Sequence, residues 1–173
     1  MSSLSAATGM MFSVTSSSLI NSTASNIWSI LVDFPAYHEW NPFVRSQTVV
    51  DSLHRPLSDQ APHVGSLLFL KVHIPPSFDD NELYQTSDEL VTILNSDNYT
   101  AAWRYNTLPE ALLSAERVQT LTEADGLVKY EASETFGGAL ASTLEATMKD
   151  GLQESFDAQA EALKNRAESM GAK

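Results

Sequence analysis

The stretch from Ser142 to Met170 limits the fold more than any other part of the chain. Leu144, Met148, Leu152 and Phe156 recur every fourth residue, and Ala160, Leu163, Ala167 and Met170 continue the line as it drifts. That spacing matches the roughly 3.6-residue period of an amphipathic helix. Ser142 and Glu145 predict a capping box, in which each side chain satisfies a backbone N–H left open by the first turn. Gly171 predicts the stop. At ~1.5 Å per residue the helix would run roughly 43 Å, too long to be covered by one other helix of this chain. Its apolar stripe needs a broad partner.

That partner is predicted in the segments before it. Met10 to Ile20, with Phe12, Val14 and Thr15, reads as a strand. Ser22 is placed to cap a helix carrying Ala24, Ile27, Trp28 and Leu31 on one face, ended by Asp33-Phe34-Pro35. Ala36 to Asn41 reads as a short second helix or turn, closed by Pro42. From Phe43 the period becomes two, over Phe43 to Val50, Leu67 to Ile74, Glu89 to Leu94, Tyr99 to Tyr105, Leu112 to Leu121 and Leu127 to Phe136. Most separators are short and turn-like, which implies antiparallel neighbours, since parallel pairing needs a long crossover. The longer ones are the polar loop Asp51 to His63 and the acidic stretch Ser77 to Tyr84 after Pro75-Pro76. The expected fold is α+β: a curved antiparallel sheet of about seven strands wrapped around the long C-terminal helix, with two short helices after the first strand. A curved sheet meets a straight helix closely at one end only, so a cavity is expected between them. A single domain spans residues 10–171, with residues 1–9 a flexible N-terminus.

Composition narrows the partners. With 43% hydrophobic and 18% charged residues the chain is globular. Twenty-two Asp and Glu against 10 Lys and Arg give a formal charge of −12, which argues against nucleic acid and anionic lipid surfaces. The absence of cysteine excludes disulfides, cysteine zinc sites and a thiol nucleophile. No apolar run approaches the ~20 residues that would insert into a bilayer. The start of the chain has neither the basic residues nor the apolar core of a targeting segment, so a cytoplasmic location is expected.

Trp28, Asp33-Phe34, Tyr37 and Trp40-Asn41-Pro42-Phe43 resemble the start of a START-like, Bet v 1-like or polyketide cyclase domain of the SRPBCC superfamily. Gly65 before an apolar strand, Pro75-Pro76, Trp103, Glu116-Arg117, Glu134-Thr135-Phe136-Gly137-Gly138 and Ala162-Leu163-Lys164 continue the resemblance in order. It implies a helix-grip fold with a deep hydrophobic cavity. The mouth would be guarded by Pro75 to Tyr84 and Asn106 to Ala111, with the short helix near Tyr37 and Trp40 as a third wall.

Strand alternation then selects candidates for chemistry. If Lys129 and Glu131 face water, Val128, Tyr130, Ala132 and Glu134 face inward. Glu134 becomes a carboxylate on the cavity side, suited to proton transfer or to a structural pairing. If Arg104 faces out, Tyr99, Trp103 and Tyr105 line the interior; with the opposite parity Arg104 points in. Glu116 and Arg117 are adjacent, so one faces in and one out, and the parity of Arg45 is equally open. His73 and His38 are candidate bases near the mouth; His54 and His63 read as solvated. The expected catalytic set is Glu134, His73, Tyr105 and Tyr130. The expected ligand-binding set is Tyr37, His38, Trp40, Phe43, Arg45, Tyr99, Trp103, Glu116, Leu144, Met148, Leu152 and Phe156. No histidine pair has metal-ligand spacing and no phosphate-binding or dinucleotide fingerprint appears, so neither metal nor cofactor is expected.

The favoured function is binding of a small hydrophobic, carbonyl-bearing metabolite and its cyclisation or dehydration by acid–base chemistry. The alternative is a carrier or sensor of a lipid, sterol or aromatic metabolite that leaves it unaltered. An interaction module using Leu67 and Phe69 beside Lys71 and His73 is a third reading, and the chain is expected to be a monomer or homodimer.

Overall fold

The structure is a computed structural model describing residues 11–171; the expected flexible residues 1–9 lie outside the described part. Strand β1 (Phe12–Ile20) alternates buried and exposed positions, with Phe12, Val14 and Ile20 inward. Helix α1 (Ala24–Val32) follows, capped by Thr23, whose side chain accepts from the Asn26 N–H at 3.2 Å. The cap is therefore one residue later than expected, and Ser22 instead accepts from the Asn26 side chain. Phe34–Ala36 form a single 3₁₀ turn and Tyr37–Trp40 the short helix α2. Six strands follow: β2 (Val44–Val50), β3 (Leu67–Val72), β4 (Gln85–Asn95), β5 (Thr100–Tyr105), β6 (Ser114–Ala124) and β7 (Leu127–Gly137). Helix α3 (Ala141–Gly171) closes the chain.

The seven strands form one antiparallel sheet in the order β1-β7-β6-β5-β4-β3-β2. Consecutive strands from β2 to β7 are neighbours because short connections allow only antiparallel pairing. β1 joins at the far side, so β1 and β2 are the two edges. Each edge is blunted by a glutamine amide acting as a single peptide unit. Gln153 of α3 bonds both the N–H and the carbonyl of Thr15, and Gln60 does the same for Val49.

Helix α3 grips the sheet unevenly, as the expectation of a cavity requires. Its C-terminal half presents Phe156, Ala160, Leu163 and Ala167, all buried, against a solid core that includes Ile27 and Leu31 of α1. The small Ala160 and Ala167 suit close approach. Its N-terminal half presents Leu144 and Met148, only half-buried, beside open space. The capping box expected at Ser142 does not form. The helix already begins at Ala141, after the Gly138 turn, which leaves Ser142 inside it, and Glu145 pairs with Lys149 at 2.6 Å. Gly138 has φ +94°, and a Cβ there would stand 2.7 Å from the Leu112 carbonyl oxygen. Only glycine fits where β7 turns into α3 against the loop before β6. Gly151 lies where a Cβ would come to 3.0 Å of the Ile74 side chain, so its bare backbone lets the segment just after β3 pack close to the helix. Among the described residues no helix is long and apolar enough to cross a membrane.

Candidate functional site

Between the N-terminal half of α3 and the inner face of β2 to β7 lies a cavity of about 220 Å³. Most of its wall is aliphatic or aromatic: Leu70 and Val72 from β3, Leu113 and Ala115 at the start of β6, Phe136 from β7, and Leu144, Met148 and Leu152 from α3. A larger groove of about 590 Å³ crosses the outer face of β1, β6 and β7, but it is open and lined largely by Ser and Thr.

Three charged side chains interrupt the apolar wall: Glu89 of β4, Arg117 of β6 and Glu134 of β7. Strand alternation places them there. Glu89 shares a face with the buried Val91, Arg117 with Ala115 and Leu121, and Glu134 with Ala132 and Tyr130. Arg117 and Glu134 are also register partners across β6 and β7. Arg117 is only 3% exposed, yet its Nε and Nη2 have no hydrogen-bond partner, and it forms none of the ion pairs among the described residues. It rests instead against two aromatic rings, with its guanidinium carbon 4.1 Å from the Phe156 centroid and 4.7 Å from that of Phe43.

The two carboxylates feel burial first. Glu89 is pushed up to about 8 by desolvation and then by the charge of Glu134; the Ser87 hydroxyl, donating to its Oε1 at 2.9 Å, pulls the other way. Burial also raises Glu134, with Arg117 opposing. Burial thus raises both carboxyls, and the like charge of Glu134 across the shared space raises Glu89 further. Tyr105, half-buried at the end of β5, adds a hydroxyl-bearing side chain to the same wall. Two raised carboxyls and a guanidinium with unpaired nitrogens therefore line one compact apolar cavity, groups able to bind and deprotonate a carbonyl compound.

Of the expected residues, the structure brings Glu134, Tyr105, Phe43, Leu144, Met148 and Leu152 to the cavity wall, with Phe156 behind Arg117. The others lie elsewhere. Tyr130 is buried away from the cavity, donating to Gln119 Oε1 at 2.6 Å and accepting from Gln159; burial pushes its hydroxyl up to about 12. His73 points away from the cavity faced by its neighbours Val72 and Ile74. Its Nδ1 sits 2.9 Å from the Ser77 carbonyl oxygen, fastening the loop after β3. Arg45 occupies a β-bulge and reaches that same loop, bonding Asp80 at 2.9 Å, Asn41 O at 3.0 Å and the face of Phe78. Tyr37, Trp40 and Trp103 fill a solid aromatic core with Phe34. The Tyr37 hydroxyl donates to Leu31 O, and burial raises it.

His38 is exposed beside the Pro35 carbonyl. Tyr99 does not belong to β5. It ends the preceding turn at φ +51° and packs on Trp28. Glu116 faces outward to the Thr92 hydroxyl, which settles the Glu116-Arg117 parity in favour of Arg117. Arg104 faces out to Glu110, as first expected. On the outer face of β3, Phe69 is covered by His54 and Lys71 lies over Tyr84, so the patch expected around Leu67 and Phe69 is not a bare apolar face.

Glu89 was missed. The available signal was its parity with Val91, obscured because the strand was read as starting at Glu89 rather than at Gln85.

A sequence profile for the family described as polyketide cyclase / dehydrase and lipid transport matches residues 11–168. Direct comparison with curated proteins finds no match. Among solved structures, the ZhuI aromatase/cyclase from Streptomyces sp. R1128 superposes with a TM-score of 0.72 at 12% identity, covering 94% of this chain and 96% of that one. A hypothetical protein from Helicobacter pylori gives 0.69 at 11% identity, covering 95% and 91%. A Thalictrum norcoclaurine synthase point mutant, in complex with a transition-state analogue, gives 0.67 at 9% identity, covering 95% and 98%. At these identities the likeness is one of fold.

Proposed function

The chain belongs to the polyketide cyclase/dehydrase and lipid transport family, and from that premise we propose that it binds a compact, apolar 1,3-dicarbonyl compound and catalyses its enolisation, leading to cyclisation or dehydration. One observation carries the reading: a buried guanidinium whose Nε and Nη2 are both free. In arginine these two N–H groups lie side by side, a fork that matches two coplanar oxygens. A carboxylate would also fit the fork, but two carboxyl side chains already line the same apolar cavity and would repel it. A neutral dicarbonyl avoids that repulsion.

The steps follow from the positions. The two carbonyl oxygens accept from Arg117. Ionised Glu134 takes a proton from the carbon between them, and the enolate charge that forms lies against the guanidinium. In a substrate that carries a further carbonyl beyond the two held by Arg117, the enolate carbon attacks that carbonyl's carbon, and its oxygen takes the proton of Glu89. Loss of that hydroxyl as water needs one carboxyl to protonate it and one carboxylate to remove the neighbouring proton, which the pair supplies in turn. The Tyr105 hydroxyl is available to orient a carbonyl. A volume of about 220 Å³ is below the ~300–1,000 Å³ of sites for drug-sized ligands, which favours a ligand of one or two rings.

The test uses 1-phenylbutane-1,3-dione. Wild-type protein should bind it and accelerate exchange of the proton between its carbonyls for deuterium, followed by NMR. Glu134→Gln and Arg117→Met should abolish the acceleration. Binding without acceleration supports the carrier reading that the apolar walls also suit; failure to bind overturns the proposal.

A further inference from the structure

We infer that Phe43 and Phe156 are positioning residues, whose rings hold Arg117 away from Glu89 and Glu134 so that its Nε and Nη2 stay unpaired. The inference rests on the proposed role of Arg117 and deepens it.

The question it answers is why a buried guanidinium makes no ion pair when two carboxylates share its cavity. Glu134 is its register partner on the next strand, and Glu89 lines the same wall. Left to electrostatics alone in a low-dielectric space, Arg117 should fold onto one of them. The competing contact is aromatic. The Phe43 and Phe156 rings lie 5.7 Å apart, tilted by 41°. The guanidinium carbon rests against both, at 4.7 Å and 4.1 Å, as a cation in a two-walled cradle. Ring faces attract a cation without occupying its N–H groups, because the attraction is to the ring quadrupole and not to a lone pair. The charge is thus stabilised while the hydrogen-bonding edge remains unspent.

Phe43 is placed by its own backbone turn, and Phe156 by the buried face of α3. Phe43 follows the Asn41 turn, where Asn41 Oδ1 accepts from the Phe43 and Val44 N–H groups at 3.0 and 2.9 Å. Phe156 is 1% exposed on α3, next to Ser155, whose hydroxyl donates to Gly151 O at 2.7 Å.

The test reads the glutamates in the ligand-free protein by carboxyl ¹³C NMR titration. In Phe156→Leu or Phe43→Leu, Arg117 is expected to swing onto a carboxylate, lowering the upper titration of the pair by more than one pH unit and weakening 1-phenylbutane-1,3-dione binding by about tenfold or more. Phe156→Trp should restore both. In Phe156→Leu/Arg117→Met no guanidinium is left to swing, so the lowering should vanish, which a merely structural loss would not reproduce. The wild type supplies a second measurement that needs no variant: the Arg117 side-chain resonances should be shielded by the two rings. Unchanged titration in the folded leucine variants, or unshielded Arg117 resonances, overturns the inference. Inertness of the wild type toward the dione would remove the proposed reaction but leave these readouts intact, so the two failures are distinguishable.

Discussion

Glu89→Gln makes a pH-dependent prediction whose sign follows from burial. Below the ordinary glutamate value of 4.5 the folded and unfolded chains both carry the proton, and Glu89 costs nothing. Between 4.5 and about 8 the unfolded chain releases its proton while the folded chain keeps it. The folded state then binds more protons than the unfolded one, so stability falls as pH rises. Above about 8 the loss is complete. At about 1.36 kcal/mol for each pH unit between those two values, the ceiling is ~5 kcal/mol. Relaxation and coupling to Glu134 bring the expected figure to roughly 2–5 kcal/mol, or roughly 4–20 °C in melting temperature for a chain of this size.

Glutamine has nearly the same shape, can accept from Ser87 and carries no charge at any pH. Urea denaturation of both proteins from about pH 4 to about pH 9 isolates the effect, because acid-sensitive groups such as Asp51 and Glu168 cancel in the difference. The variant should match the wild type near pH 4 and exceed it increasingly toward pH 9. A difference that stays flat with pH, or a variant less stable at the alkaline end, would refute the reasoning.

Arg117→Met should keep stability within about 1–2 kcal/mol or raise it, since it removes a buried charge with no bonded partner; the same variant should lose roughly 10²-fold or more in acceleration of dione exchange. Gly138→Ala should cost roughly 2–4 kcal/mol in urea denaturation, from a left-handed backbone plus a clash with the Leu112 carbonyl. Asp80→Asn should loosen the loop between β3 and β4 by weakening its tie to Arg45. Stopped-flow binding of 1-anilinonaphthalene-8-sulfonate should then show faster association and faster release, by up to about tenfold; unchanged rates would mean that this loop does not control entry.

The sequence by itself determined the order and type of the elements, because each is written in a local pattern. The fourfold spacing from Leu144 to Phe156 sets α3, alternation sets β3 to β7, and Pro35 and Pro42 bound α2. It also determined which side of β7 faces inward, since Lys129 and Glu131 leave only one comfortable parity. What it left open was decided by contacts between segments far apart in the chain. Arg45 and His73 look like site residues by position, but the bulge in β2 and the loop after β3 turn them toward Asp80 and Ser77. Tyr130 has the predicted facing, yet Gln119 and Gln159 claim its hydroxyl at a level where the cavity has already closed. Glu89 reads locally as an ordinary polar position, and the facing of Arg117, on a strand that is not its neighbour, stays open. Only the curvature of the sheet, bringing Phe43 of one margin and Phe156 of the helix against Arg117 of the middle, makes one an acid and leaves the other unpaired. Backbone preference is a local property, whereas the protonation and bonding of a buried group depend on everything that excludes water from it.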